Sequence, residues 1–213
     1  MAINDVQTLF AKSLDESSLT AKQKAVLRAS LTLFSEKGYD HTSTKDIAQA
    51  AAVSEGTVYK QFKTKEGILT AILGPFVQQV LPRIATEFLG DVMNTSYPDF
   101  ADLLRSIVAD RLSFALNNRK QLRILAQEMV ANAKIIEGFQ QQVDRVLPRV
   151  FPVIQHYQQQ HQLVDWEPSR IARYMISTMM GYVLPVILSD TDTLDVAKAS
   201  KETTEFLLKG LRP

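Results

Sequence analysis

Apolar residues recur along this chain at three- and four-residue intervals, and no run alternates at two between turn signals, which predicts helices throughout and no sheet. From Thr20, the residues Ala25, Val26, Ala29, Leu33 and Phe34 make one stripe, which stops at Lys37-Gly38, a glycine behind a basic residue. Hydroxyls at Thr42-Ser43-Thr44 then cap a short helix carrying Ile47, Ala48 and Ala51. Ala52-Val53 make a tight turn, and Ser54 caps a second short helix whose inner face is Val58 and Phe62. Two short capped helices so closely spaced predict a helix-turn-helix. Thr64 caps a longer helix with Ile68, Leu69, Ile72, Leu73 and Phe76 inward, and kinks are expected at Pro75 and Pro82.

The helical pattern continues to the end. Tyr97-Pro98 opens a helix at its first position that runs to about Leu116, and others cover Arg119 to Ala131 and Ala133 to Gln160, the latter bent near Pro148 or Pro152. Pro168 opens a helix to Leu188, and Asp192 or Thr193 caps the last, which ends at Lys209-Gly210. Ahead of Thr20, the pattern Ile3, Val6, Leu9, Phe10, Leu14 is that of a docking helix before the polar Asp15-Glu16-Ser17-Ser18. The expected fold is all-α with about nine helices. It divides into an arm (1–19), a three-helix head (20–66) and a helical body (67–213).

Composition narrows the chemistry. Hydrophobic residues at 46% and charged residues at 22% are those of a chain that folds unaided. The absence of cysteine excludes disulfides, thiolate metal sites and cysteine nucleophiles, and permits a reducing compartment. The start lacks a basic segment followed by an apolar one, and no apolar stretch is read as reaching the ~18 residues of a membrane span. A cytoplasmic protein with no membrane contact is expected. His41, His156 and His161 are the only histidines, the last two flank a glutamine run without a nearby carboxylate pair, and no phosphate-binding glycine loop exists, so no catalytic, metal or cofactor role is expected. The net charge of +1 hides an asymmetry: Thr20–Glu66 carries eight basic and five acidic residues, whereas Gly67–Pro213 carries fifteen of each. That excess is a modest electrostatic footprint for phosphate.

The segment STKDIAQAAAVSEGTVYKQFKTKEGIL, Ser43 to Leu69, closely resembles the N-terminal head of the TetR family of transcriptional regulators. The matching residues are Thr42, Ile47, Ala48, Ala51, Val53, Ser54, Gly56, Thr57, Tyr59, Phe62 and Lys65, with Phe34 and Gly38-Tyr39 upstream. The resemblance implies binding to double-stranded DNA, and the residues agree. Val58 and Phe62 hold the second short helix inward, leaving Thr57, Tyr59, Lys60 and Gln61 to face a major groove. Gly56 lets the backbone approach the duplex. Tyr59 and Lys65 suit phosphates, while Thr57, Lys60 and Gln61 read base edges, glutamine matching adenine and lysine guanine. Thr44 would clamp the DNA backbone, although Thr44 and Ser54 also read as plain helix caps. Two positions depart from the family. Ala52 stands where glycine is usual, and a left-handed alanine costs about 1 kcal/mol. Glu55 stands where many members are basic, which either weakens phosphate contact or favours the helix dipole with the carboxylate pointing away.

For the body, the resemblance implies a ligand-sensing domain dimerised through its last two helices. Ile171, Tyr174, Met175, Thr178, Met179, Tyr182, Leu184 and Leu188 make the penultimate helix apolar around more than one stripe, so it needs a second cover. Either it is wholly buried in its own chain, or Ile171, Tyr174, Thr178, Tyr182, Leu194 and Phe206 form a homodimer interface. Symmetry would hold two heads about 34 Å apart and make the operator palindromic. Phe76, Phe114, Met129, Phe139, Tyr157, Met175 and Met179 are candidate walls of an effector pocket, with Arg111, Gln127, Glu128 and Asn132 as polar hooks; core packing is the plainer role for the apolar ones. The function expected is a repressor released by a small molecule. The other reading is a ligand-independent DNA-binding or architectural factor with a solid body.

Overall fold

Asp5 opens the first helix, α1 (Val6–Asp15), by accepting from the amides of Gln7 and Thr8, in a computed structural model that describes residues 5–189 and 194–213. Val6, Leu9, Phe10 and Leu14 are buried, and α1 docks on α2 (Ala21–Lys37), where Arg28 pairs with Asp15. Ile3 of the expected pattern lies outside the described residues. A reciprocal capping box between Thr20 and Gln23 starts α2, and Gly38 at φ 85° ends it. The buried stripe of α2 is Val26, Leu27, Ser30, Leu31 and Phe34. Ala25, Ala29 and Leu33 are only half-buried, because the face that α2 turns to the core is centred on Leu27, Ser30, Leu31 and Phe34 and leaves them at its margin.

Capped by Thr64, α5 (Lys65–Pro75) passes through a π turn at Phe76–Val80 into α6 (Leu81–Asn94). Where two kinks were expected, the prolines bracket this widened turn. Pro75 has no N–H for the carbonyl of Ala71 and its ring crowds it, so the ladder slips register. Phe76, Val77 and Val80 of the turn are buried, and α1 packs against it. The run Lys65–Asn94 and the helix Pro168–Leu188 are long and apolar enough to cross a membrane, contrary to the sequence reading. Burial accounts for only part of that apolarity: Ile68, Leu69, Ile72, Leu73 and Phe76 in the first, and Ile171, Ala172 and Met175 in the second, lie in the core.

Packing gathers the chain into two compact units, the described part of Asn4–Arg83 with Lys120–Gln140, and Ile84–Arg119 with Gln141–Pro213. The second is organised on α7 (Phe100–Asn117), against which α11 (Pro168–Leu188) and α12 (Val196–Leu211) pack. Leu104, Val108, Leu112, Ile154 and Ile171 form its centre. Asp99, not Pro98, starts α7, since its carboxylate accepts from the Asp102 amide. Following α8 (Arg119–Ala131), the expected single helix is broken. It consists of α9 (Ala133–Val146), a 3-10 turn at Leu147–Val150 and α10 (Phe151–Gln159), so both Pro148 and Pro152 interrupt it. Asp195 caps α12, which runs through Gly210; Asp192 and Thr193 lie outside the described residues. With α3 (Thr44–Ala50) and α4 (Glu55–Phe62), the described residues form twelve α-helical segments and no strand. Taking the α5–α6 and α9–α10 runs as single rods leaves ten, the expected nine and the N-terminal helix.

Candidate nucleic-acid interface

Local hydrogen bonds fix the helix-turn-helix. Ser43 and Asp46 form a capping box at α3, and the Ser43 hydroxyl, then its amide, hold the Asp46 carboxyl below its ordinary value. At the other end Val53 N–H reaches Ala48 O (3.0 Å) and Ala52 N–H reaches Gln49 O (3.2 Å), a Schellman motif with Ala52 left-handed at φ 53°. The expected strain at Ala52 is therefore present. Ala52→Gly should stabilise the protein by roughly 0.5 kcal/mol, the relieved left-handed penalty of about 1 kcal/mol being partly offset by the added chain entropy. Thermal unfolding checks this, and an unchanged or lower midpoint would count against it.

Ser54 caps α4, its Oγ accepting from Thr57 N (3.2 Å) and lying 2.9 Å from Thr57 Oγ1. Val58 is buried and Phe62 half-buried, as their positions required. Glu55, Gly56, Tyr59, Lys60 and Gln61 are exposed, Tyr59 at 71%, and Thr57 is half-buried. Gly56 is not demanded by the fold: a Cβ there would meet only Ser54 Oγ, at 3.9 Å. The Thr44 hydroxyl donates to Glu55 Oε1 at 3.0 Å, which ties the start of α3 to the start of α4. Its single proton is thus committed, and a phosphate clamp through Thr44 would have to break this bond.

Lys65 is placed differently from its expected phosphate role. Its Nζ donates to Tyr39 O (2.8 Å) and Asp40 O (3.4 Å) and lies 4.3 Å from the Tyr39 ring centroid, so the charge buttresses the α2–α3 loop. Burial, then the carboxylates of Glu66, Glu128 and Asp40, pushes the Tyr39 phenol above its ordinary value. Sequence reasoning missed the α4–α5 joint. Lys63 sits at φ 63°, ψ −44°, a γ-turn in which Thr64 N–H donates to Phe62 O at 2.7 Å. A Cβ on Gly67 would stand 2.2 Å from that same Phe62 oxygen. A glycine within the first turn of a helix was the one available signal.

The candidate effector residues fall in both units. In the first, Phe76 is core, Glu128 and Met129 are half-buried, Gln127 is exposed, and Asn132 Oδ1 accepts from Lys134 N at the start of α9 (3.1 Å). Burial, then Glu66, raises the Glu128 carboxyl above its ordinary value. In the second, Arg111 stacks on Phe88 (4.0 Å) and near Phe114 (5.0 Å) while its Nε donates to Asp110 (2.8 Å). Tyr157 is buried edge-on against Phe100 and Met175 is core, so both serve packing; Met179 packs beside them. A cavity of about 170 Å³ in this unit is lined by Phe88, Asp91, Tyr97, Ser106 and Asp110 among others, none of them a candidate.

Of the expected dimer residues, Tyr174 (44%) and Phe206 (67%) are exposed and Thr178 is half-buried, flanking an apolar groove of about 460 Å³. Tyr182 and Leu194 are half-buried against the core, and the Tyr182 hydroxyl donates to Glu202 at 3.2 Å. Ile171 departs from its expected place: it is fully buried in its own unit, on the side of α11 facing α7. Ile176, Leu184 and Leu188, by contrast, are exposed.

Residues 26–72 match the family of bacterial regulatory proteins named tetR. The HTH-type transcriptional regulator YuxN of Bacillus subtilis is 34% identical over 77 residues, 36% of this chain; the matched stretch spans only 26% of that relative. The fatty acid metabolism regulator protein of Bacillus subtilis is 23% identical over 200 residues, 89% of this chain and 95% of that protein. Among solved structures, a TetR-family transcriptional regulator from Mesorhizobium loti superposes with a TM-score of 0.70 at 16% identity, over 93% of this chain and 100% of that one. The regulator FadR from Bacillus subtilis, in complex with stearoyl-CoA, gives 0.62 at 18% identity, over 87% and 97%. At such identities the superpositions establish the fold.

Proposed function

We propose that this chain is a TetR-family transcriptional regulator, a homodimeric repressor that binds DNA through its helix-turn-helix and is released from a palindromic operator by a small molecule bound in its C-terminal helical part. The family is regulatory, not enzymatic. The observation that carries the reading is the outward row of α4: Gly56, Tyr59, Lys60 and Gln61 are exposed while Val58 alone is buried. In a major groove Tyr59 meets phosphate, and Thr57, Lys60 and Gln61 reach base edges, with Ser54 at the helix start. As a soluble DNA-binding regulator it would act in the cytoplasm.

The exposed apolar residues of α11 and α12 support the dimer, since an open groove flanked by Tyr174 and Phe206 is poorly suited to water. Phe206→Asp should leave the fold intact and yield a monomer with greatly weakened operator affinity, because one head loses the tethering of the other. Sedimentation checks this, and an unaltered dimer would remove α12 from the interface. The effector would favour a conformation in which the two heads no longer match groove spacing. Selection of bound DNA from a random pool, followed by titration with candidate small molecules, tests the whole. No enriched sequence would end the regulator reading, and enrichment with no compound lowering affinity would end only the release mechanism.

A further inference from the structure

The Thr44–Glu55 bond gives the acid at the start of α4 a specific use. Resting on the DNA-binding reading above, we propose that Glu55 is a specificity-determining residue that requires cytosine at one position of each half-site. Its carboxylate is exposed on the first residue of α4, the end of a recognition helix that reaches base edges. Thr44 donates to Oε1 at 3.0 Å, which orients the group and leaves Oε2 as an acceptor. An ionised carboxylate only accepts, so it repels phosphate and the O6/N7 edge of guanine. Thymine offers O4 and a methyl group, again no donor. Adenine has the N6 amino group but sets its own N7 acceptor beside it, whereas the major-groove edge of cytosine itself carries the N4 amino group and no acceptor, the paired guanine O6 lying on the far side. One oriented carboxylate oxygen therefore matches cytosine. The same charge disfavours loose association with phosphates, so it exchanges general affinity for selectivity.

The test is selection from a random DNA pool with the full-length parent, Glu55→Gln and Thr44→Val, followed by affinity measurements on the enriched site at fixed salt. The parent should demand cytosine at one position per half-site. Glu55→Gln, whose amide both donates and accepts, should move that position to adenine, change the cytosine-to-adenine ratio about tenfold or more, and bind unrelated DNA more tightly. Thr44→Val should keep the site but loosen the cytosine preference. If the parent enriches a definite site and Glu55→Gln leaves every position unchanged, or abolishes binding while still folded, the proposal is overturned and the regulator reading stands. A parent with no sequence preference overturns both.

Discussion

Gly67→Ala is expected to destabilise the protein by about 3 kcal/mol and to lower its melting temperature by about 6–12 °C. The added methyl would stand 2.2 Å from the carbonyl oxygen of Phe62, and the obstacle is backbone, which no rotamer change can remove. That oxygen is itself held by Thr64 N–H across the γ-turn at Lys63, while Gly67 N–H is held by Thr64 Oγ1 at 2.9 Å. To admit the methyl, the joint between α4 and α5 has to open, which draws Phe62 and Val58 away from their packing. DNA affinity should fall with stability, since α4 loses its anchor. Circular dichroism melting decides the matter, and a curve superimposable on that of the parent would show that the joint is softer than its geometry implies.

Gly56→Ala should have the opposite signature, with stability unchanged or raised by up to about 1 kcal/mol and operator affinity reduced about tenfold to a hundredfold. The glycine is exposed, its φ is not positive and a methyl there would meet nothing closer than 3.9 Å. Within the protein, alanine would be the better helix former. A residue that the free fold does not need, at the start of an outward helix, is explained by what approaches that helix from outside. Melting and DNA titration at one fixed salt concentration separate the two effects. Equal affinity in parent and variant would mean that α4 does not seat closely at Gly56.

The helix-turn-helix was legible because its signals are local. Ser43, Ser54 and Thr64 each cap the helix that follows through an amide three residues on, an interaction the sequence spacing already contains. Val58 and Ile47 are inward for the same reason, a period of 3.6 read against polar neighbours. Reading failed where two local rules competed. Pro98 and Asp99 both open helices, and the carboxylate prevailed; Pro148 and Pro152 were each able to bend a rod, and together they broke it. On α2 the stripe through Ala25, Ala29 and Leu33 fitted the helical period as well as the one through Leu27, Ser30 and Leu31, and only packing against other helices chose between them.

The candidate site divides along the same line. That Tyr59, Lys60 and Gln61 face outward follows from their spacing around Val58 and Phe62. That Lys65 turns to the carbonyls of Tyr39 and Asp40, and that Thr44 commits its proton to Glu55, follows from residues eleven to twenty-six positions apart, which no spacing rule connects. On α11, apolar residues all round the helix implied two covered sides without saying which residue took which. Packing against α7 put Ile171 inside and left Tyr174 and Leu188 outside.

What the chain determined by itself was its helical class and, in the helix-turn-helix, the short helices, their caps and the amphipathic face of each, since these depend on contacts within about four residues. Tertiary structure alone decided which partner each long polar side chain takes, which glycines are sterically compelled and which apolar faces stay uncovered. Those outcomes depend on where distant segments meet, and a one-dimensional pattern carries no record of that meeting.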